Sequence, residues 1–209
     1  MAVSRVKTSS VLQGFPKYRS MLGGNTAFQP TDYESIATVT VGSGGSSTIS
    51  FTSISSDYKH LQIRGLARQN IGGGSAKAPI LVQFNSDSGT NYTYHRLIGN
   101  GSSVSAGGEG TGSFGACFIN DATVGSAVTS GVFAASIIDI HDYSSSTKNK
   151  TVRTIAGVDG NTASTSFGLT LMSNLWTSTS AINSITITDY SARDFAQYSV
   201  FSLYGIKGA

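Results

Sequence analysis

The sequence predicts an all-β fold: an antiparallel two-sheet sandwich, jelly-roll-like, with an extended N-terminal arm. The segment Tyr58–Arg68 (YKHLQIRGLAR) is the clearest indication, because Leu61 and Ile63 alternate with Gln62 and Arg64. Strict alternation of this kind is typical of a half-buried β-strand. Similar short segments recur along the chain, separated by Gly- and Ser-rich turns, and no helical periodicity is present.

The composition agrees with many short strands joined by small polar turns. Only 12% of the 209 residues are charged, about half the usual share, and 25 are glycine. Disordered segments lack apolar and aromatic residues, whereas here 10% of residues are aromatic and apolar β-formers recur throughout. A chain of this length can form one large β domain without dividing.

The predicted strands can be taken in chain order. Residues 34–41 and 47–54 are predicted to form a hairpin across GSGGSS. Tyr58–Arg68 is predicted to pair with Pro79–Asn85 across a Gly-rich loop and to form the middle of a sheet. The remaining predicted strands are Tyr92–Ile98, Gly112–Asn120, Val132–His141, Thr151–Val158, Phe167–Met172, Ile182–Thr188 and Val200–Ile206. The Gly/Ser-rich stretch Gly99–Ser113 is predicted to be a long loop and a place for a partner contact.

Three apolar residues bear on which strand faces are buried. Leu66 is the one apolar residue on the polar side of its strand. Ile137 and Ile138 are adjacent, so their strand is apolar on both sides, as expected of a strand buried in a sandwich.

Cys117 is the single cysteine of the chain, which excludes an internal disulfide and a multi-cysteine zinc site. It lies between Phe114 and Phe118 in FGACFIN, and we expect it to be a buried apolar filler.

The first 32 residues differ from the rest of the chain. Residues 1–30 contain four basic residues and no acid, while the other ten bases and all 11 acids follow. They also carry apolar residues without any strand or helix periodicity. We therefore predict an extended arm at 1–32 and a β-sandwich domain at 33–209; a disordered terminus is the alternative. The arm residues predicted to bind a partner are Arg5, Lys7, Phe15, Lys17, Tyr18, Arg19, Met21, Leu22 and Phe28.

No residue pattern typical of a catalytic or metal site is present. The histidines His60, His95 and His141 are dispersed, and the best metal-like pair is Asp139 with His141. There is no GxSxG motif, and the glycines at 72–74 are followed by neither Lys-Ser/Thr nor a helix. We predict no catalytic, cofactor-binding or metal-binding residues and no enzyme activity.

Charge and hydropathy also limit the partners. Four spaced basic residues are too few to predict nucleic-acid binding. No apolar run approaches the roughly 20 residues of a membrane-spanning helix, and the N-terminus lacks the apolar stretch of a secretory signal. Binding of a host surface glycan is an alternative, with Tyr92, Tyr94, Tyr143 and Trp176 as the candidate stacking residues.

Four segments together resemble one group of proteins. These are KTSSVLQGFPKYRSMLGGN, YESIATVTVGSGGSSTISFTSI, YKHLQIRGLAR and FSLYGIKG, which cover both ends and the middle of the chain. They resemble virion structural proteins of tailed bacteriophages that infect aquatic bacteria, including cyanobacteria. The resemblance implies a non-enzymatic particle component with a β-sandwich body.

From the resemblance and the arm we expect a capsid decoration (cement) protein, located in the virion and assembled in the host cytoplasm. The arm would bind the major capsid protein, and the domain would form a homo-oligomer, with a trimer favoured. A tail fibre or baseplate appendage that binds a host receptor or glycan is the alternative. A third class is an enzyme such as a polysaccharide depolymerase.

Overall fold

The structure, a computed structural model, describes residues 32–70, 77–125, 128–160 and 168–208. These residues form twelve β-strands and no helix. The strands are β1 (Tyr33–Thr40), β2 (Thr48–Phe51), β3 (His60–Ala67), β4 (Lys77–Phe84), β5 (Tyr92–Gly99), β6 (Val104–Phe114), β7 (Cys117–Val124), β8 (Ala134–Ile140), β9 (Lys150–Val158), β10 (Gly168–Trp176), β11 (Ile185–Asp189) and β12 (Val200–Ile206). Within the described ranges no helix is long and apolar enough to cross a membrane.

The strands form two antiparallel sheets. The larger sheet has eight strands in the order β1-β12-β3-β8-β9-β10-β5-β6, and the smaller has four in the order β2-β11-β4-β7. The predicted all-β, two-sheet antiparallel sandwich is therefore confirmed. The jelly-roll assignment stays a prediction, and so does the N-terminal arm, because residues 1–31 lie outside the described residues.

The core forms where the apolar sides of the two sheets meet. In β3, Leu61 and Ile63 are fully buried, whereas Gln62 and Arg64 point outward, as the alternation predicts. The smaller sheet contributes residues with the same alternation, namely Ile49, Phe51, Ile80, Val82, Phe84, Ile185 and Ile187. Cys117 is also fully buried, which confirms its prediction, and burial raises the pKa of its thiol.

Both predicted hairpins are wrong. β1 pairs with β12 and β2 with β11, so these consecutive strands lie in opposite sheets. Likewise β3 pairs with β12 and β8, while β4 pairs with β11 and β7. Alternation shows that one side of a strand is buried, but both sheets of a sandwich offer a buried side. The sequence pattern therefore leaves open which strand is the neighbour.

The predicted loop Gly99–Ser113 is also wrong, since most of it forms β6, the edge strand beside β5. The predicted strand Gly112–Asn120 is divided by a turn at 115–116, between β6 and β7. Residues 104–110 are exposed and rich in glycine. Their pairing with β5 is made by backbone groups, which leave no apolar alternation in the sequence.

Candidate functional site

The outer surface of the eight-stranded sheet, which points away from the smaller sheet, carries a group of exposed aliphatic side chains. We call this group the aliphatic face. Its members, each 38–72% exposed, are Leu66, Leu97, Val104, Ile137, Ile155, Leu169 and Leu171. Single exposed apolar residues are normal on protein surfaces, whereas contiguous ones mark interaction sites.

Strand register places four of these side chains side by side. Ile137 of β8 pairs with Ile155 of β9, which pairs with Leu171 of β10, which pairs with Leu97 of β5. Because neighbouring strands lie about 4.8 Å apart, the four side chains form a strip about 15 Å long.

The adjacent row of outward-pointing residues, two positions along each strand, contains the other three members of the aliphatic face, separated by small residues. In register order this row reads Leu66, Ala135, Gly157, Leu169, Gly99 and Val104. The small residues leave a shallow hollow of about 280 Å³, lined by Ile137, Ile155 and Leu169 among others. The aliphatic face is thus two adjacent rows crossing the sheet, with a depression between them.

In β10 the usual arrangement, with apolar side chains inward and polar side chains outward, is reversed. Leu169 and Leu171 point outward and are about half exposed, whereas Thr170 and Asn174 point inward and are buried. Ile137 is exposed as well, so the expectation that β8 is buried on both sides is wrong for this residue. The adjacent apolar residues Ile137 and Ile138 were one sequence signal for a second apolar surface, and Leu66 was another.

A row of polar residues borders the aliphatic face, and two of its charges form an ion pair. The Asp139 carboxylate accepts a hydrogen bond from the Gln62 amide (2.7 Å) and pairs with Arg153 at 3.3 Å. The Arg64 guanidinium lies 5.5 Å from the ring centroids of both Tyr33 and Tyr204. Among these residues a single net positive charge remains, on Arg64, and it lies over the two tyrosine rings.

The predicted metal-like pair is not brought together as a site. Asp139 belongs to the polar border, while the His141 ring lies edge-on to the ring of His60, with centroids 5.2 Å apart. In the described ranges no three His, Cys, Asp or Glu side chains gather as a metal site.

Asp142 and its two lysines form a separate charged cluster. Hydrogen bonds from Lys148 (2.7 Å) and Lys59 (3.2 Å) lower the pKa of the Asp142 carboxyl to about 2. The Asp142 backbone N–H donates to Nδ1 of His60 at 3.0 Å. Burial, followed by the neighbouring His141, lowers the pKa of His60, so its ring is neutral at pH 7. With one carboxylate and two lysines, the cluster is a loop contact that keeps a net positive charge.

The aromatic residues predicted as glycan contacts are in the interior. Tyr92, Tyr94, Tyr143 and Trp176 are all buried, so that assignment is wrong. Trp176 donates its indole N–H to Asp87 at 2.7 Å and packs with Tyr92 and Phe84. These large side chains supply apolar area to the core, which outweighs their suitability for surface stacking.

An open cleft of about 640 Å³ lies at the end of the sandwich where β1 leads into β2 and β3 ends. We call it the end cleft. Its lining includes the side chains of Arg68, Asn70, Ser130, Phe133, Gln197 and Tyr198. Tyr198 is 67% exposed, so its ring stands in solvent.

The nine arm residues predicted to bind a partner, from Arg5 to Phe28, lie outside the described residues, and that assignment stays a prediction. No family model, no curated protein and no solved structure matches the chain.

Proposed function

We propose that this chain is a non-enzymatic structural subunit of a virion, a capsid decoration protein that assembles as a homo-oligomer through the aliphatic face. The aliphatic face is the observation that carries the proposal. The largest apolar patch on a typical monomer is about 300–600 Å² and often functional. Seven large aliphatic side chains in two adjacent rows reach this range, at an order-of-magnitude estimate.

The larger sheet is apolar on both sides, which favours an assembled state in which both of its sides are covered. The inner side of β8–β10 is covered by the smaller sheet, through Ile138, Val152 and Trp176 among others. The outer side carries Ile137, Ile155 and Leu171. Strands covered on both sides are apolar on both sides, and homo-oligomer interfaces are more apolar than transient ones.

The partner that fits the aliphatic face is a second copy of the chain. In a two-fold contact the same patch meets itself, so any unbalanced charge on it would be repelled. Here Asp139 and Arg153 neutralise each other, and Arg64 is held over two tyrosine rings. Contact between identical faces gives a dimer, whereas the predicted trimer needs the aliphatic face to meet a different surface of the next copy.

The proposed attachment to the particle is through the arm, residues 1–32, bound to the major capsid protein. The four basic residues of the arm suit an acidic partner surface, and its apolar residues suit pockets on that surface. In this arrangement the arm attaches the subunit, and the aliphatic face joins neighbouring subunits.

Copy number in purified virions tests the virion role. Quantitative mass spectrometry against the major capsid protein is expected to give hundreds of copies per particle, near a simple ratio with the capsid protein. About a dozen copies would favour the alternative, a tail fibre or baseplate appendage. In that case the end cleft would be suited to binding a receptor on the host surface. Absence from virions would contradict the virion proposal.

Leu171→Glu tests the role of the aliphatic face. The substitution introduces a carboxylate between Ile155 and Leu97, where no positive charge is paired with it. We expect the dissociation constant of the homo-oligomer to rise at least about 100-fold, because the charge would be buried without a partner. Light scattering coupled to size exclusion should then give the monomer mass, 21.7 kDa.

The matched control is Ser173→Glu, two residues along the same face of β10. Its register neighbours are Arg153 and His95, so the new carboxylate lies beside the Arg153 guanidinium at the polar border. This variant should assemble like the unmodified chain, and both variants should unfold within about 1 kcal/mol of it. A monomeric unmodified chain, or an oligomer that survives Leu171→Glu, would contradict assembly through the aliphatic face.

A further inference from the structure

We propose that the end cleft is a binding site for a neutral saccharide whose ring stacks on Tyr198. This proposal holds for a subunit on the head or on the tail, and it does not depend on assembly through the aliphatic face.

Tyr198 occupies a backbone position that favours glycine. Its φ is +71°, in the left-handed region, and the Ser199 N–H donates to the Ala196 carbonyl at 3.1 Å, which closes a turn with Tyr198 at its third position. Two other loops that line the cleft use glycine at positive φ, namely Gly45 (+79°) and Gly131 (+85°). A bulky residue at such a φ is a genuine outlier.

The fold does not explain this tyrosine. The residue is 67% exposed, so its side chain contributes little packing energy to offset the strained backbone. The Tyr198 N–H donates a hydrogen bond to the Val41 carbonyl at 3.0 Å. This backbone bond does not depend on the side chain, so it does not explain why the residue is tyrosine. Strained residues of this kind gather at ligand sites, so the exposed ring itself is the feature that needs a role.

The walls of the cleft are held rigidly by Arg68. Its guanidinium donates to the backbone carbonyls of Val128 (2.7 Å), Val132 (2.9 Å) and Thr129 (3.0 Å). Its backbone N–H donates to the Ser199 hydroxyl oxygen at 3.0 Å. The loop at 128–132 is thereby fixed to the end of β3, and a fixed cleft binds a ligand without an added ordering cost.

The chemistry of the lining favours a neutral ligand with many hydroxyl groups. Arg68 carries the one formal charge among the described lining residues, and its guanidinium is engaged with backbone carbonyls. Asn70 and Gln197 are exposed amides that donate and accept, and Ser130 adds a hydroxyl. A purely apolar ligand would leave these groups unpaired. A cationic ligand would find no counter-charge among the described lining residues, and the guanidinium of Arg68 already donates to three backbone carbonyls.

A sugar ring matches both parts of this lining. Its C–H face is apolar and packs on an aromatic ring, while its equatorial hydroxyls lie at the rim and bond to amides. Tyr198 and the half-buried Phe133 supply the aromatic surface. The cleft volume, about 640 Å³, lies within the range of about 300–1,000 Å³ that is usual for small-ligand sites.

The test uses the full-length protein and defined probes. The probes are neutral hexasaccharides of glucose, galactose, mannose and N-acetylglucosamine, each in α- and β-linked form, measured by isothermal titration at up to millimolar concentration. At least one probe is expected to bind. Tyr198→Gly is expected to weaken that binding at least tenfold while the thermal midpoint stays unchanged or rises, since glycine adopts the same φ without strain. Gln197→Ala is expected to weaken binding several-fold.

Ser53→Gly is the matched control. Ser53 also has a positive φ, +55°, but it lies beyond the opposite end of β2 from Gly45. This variant should bind the saccharide like the unmodified chain. The proposal is overturned if no probe binds, or if Tyr198→Gly binds as tightly as the unmodified chain. It is also overturned if Tyr198→Gly abolishes binding to a virion or host protein with no saccharide bound, because the cleft is then a protein-contact site.

Discussion

Lys150→Met is expected to lower the free energy of unfolding by about 3–5 kcal/mol. Lys150 is fully buried at the start of β9, and its ammonium donates to the carbonyls of Ser145 (2.7 Å), Lys148 (2.7 Å) and Thr179 (3.2 Å). Methionine keeps the length of the side chain but leaves three backbone acceptors without their donor. Each buried acceptor that loses its partner costs about 1–3 kcal/mol.

The bonds made by Lys150 join segments that are distant along the chain. The loop at 141–149 and the segment after β10 meet at its ammonium, so the substitution loosens both. Burial lowers the pKa of Lys150, while the nearby Asp142 carboxylate acts in the opposite direction. Chemical denaturation at pH 7 measures the effect.

Lys148→Met is the matched control, because Lys148 lies in the same loop but its side chain is 60% exposed and pairs with Asp142 at the surface. Exposed ion pairs contribute about 0–1 kcal/mol, so this variant should be close to the unmodified chain. Equal effects of the two substitutions would contradict the structural role of the buried ammonium.

Lys150 also shows what the sequence does not reveal. It lies in the polar stretch KNK, which in sequence is indistinguishable from a solvated loop. Its burial depends on a loop closing over it and on carbonyls from three separate positions. Such an arrangement is tertiary, and residue type and local spacing carry no sign of it.

Strand positions, in contrast, are largely readable from the sequence. Where one side of a strand is buried and the other is solvated, as in β3 and β11, side-chain alternation locates the strand. Side-chain alternation does not locate β6, because its exposed glycine-rich residues pair through backbone groups alone. It also fails for strand order, because burial on one side does not identify the neighbour.

The aliphatic face was only partly visible in the sequence. Leu66 and Ile137 each broke the expected pattern, but a single outward apolar residue is common and carries little weight. It is the register that gathers Ile137, Ile155, Leu171 and Leu97 into one strip. The end cleft depends similarly on turns from distant parts of the chain, and neither its volume nor the φ of Tyr198 follows from the sequence.

Gly205→Ala is expected to destabilise the fold by about 2–3 kcal/mol through overpacking. Gly205 lies on the inner side of β12, beneath the ring of Tyr58. An added Cβ would collide with Cγ and Cδ1 of that ring and lie 2.5 Å from its Cε1. The colliding atoms include the root of the ring, so rotation of the side chain does not relieve the contact.

Tyr58 is also held from several sides and cannot simply move away. Its hydroxyl donates to Glu34 at 3.1 Å, its carbonyl accepts from the Ser144 hydroxyl at 3.3 Å, and the Lys207 ammonium lies 5.9 Å from its ring centroid. A shift of Tyr58 would disturb these contacts together, which is why a single methyl group is expected to have a large effect.

Two comparisons separate overpacking from a general cost of alanine. Gly110→Ala, on the exposed strand β6 with open space around its Cβ position, should be neutral or slightly stabilising. In a Tyr58→Ala background the ring is gone, so Gly205→Ala should cost less than 1 kcal/mol more. Because residues in contact are energetically coupled, denaturation of the four chains in this cycle should give a coupling of at least about 1 kcal/mol. Additive effects would mean that Tyr58 does not set the requirement for glycine at position 205.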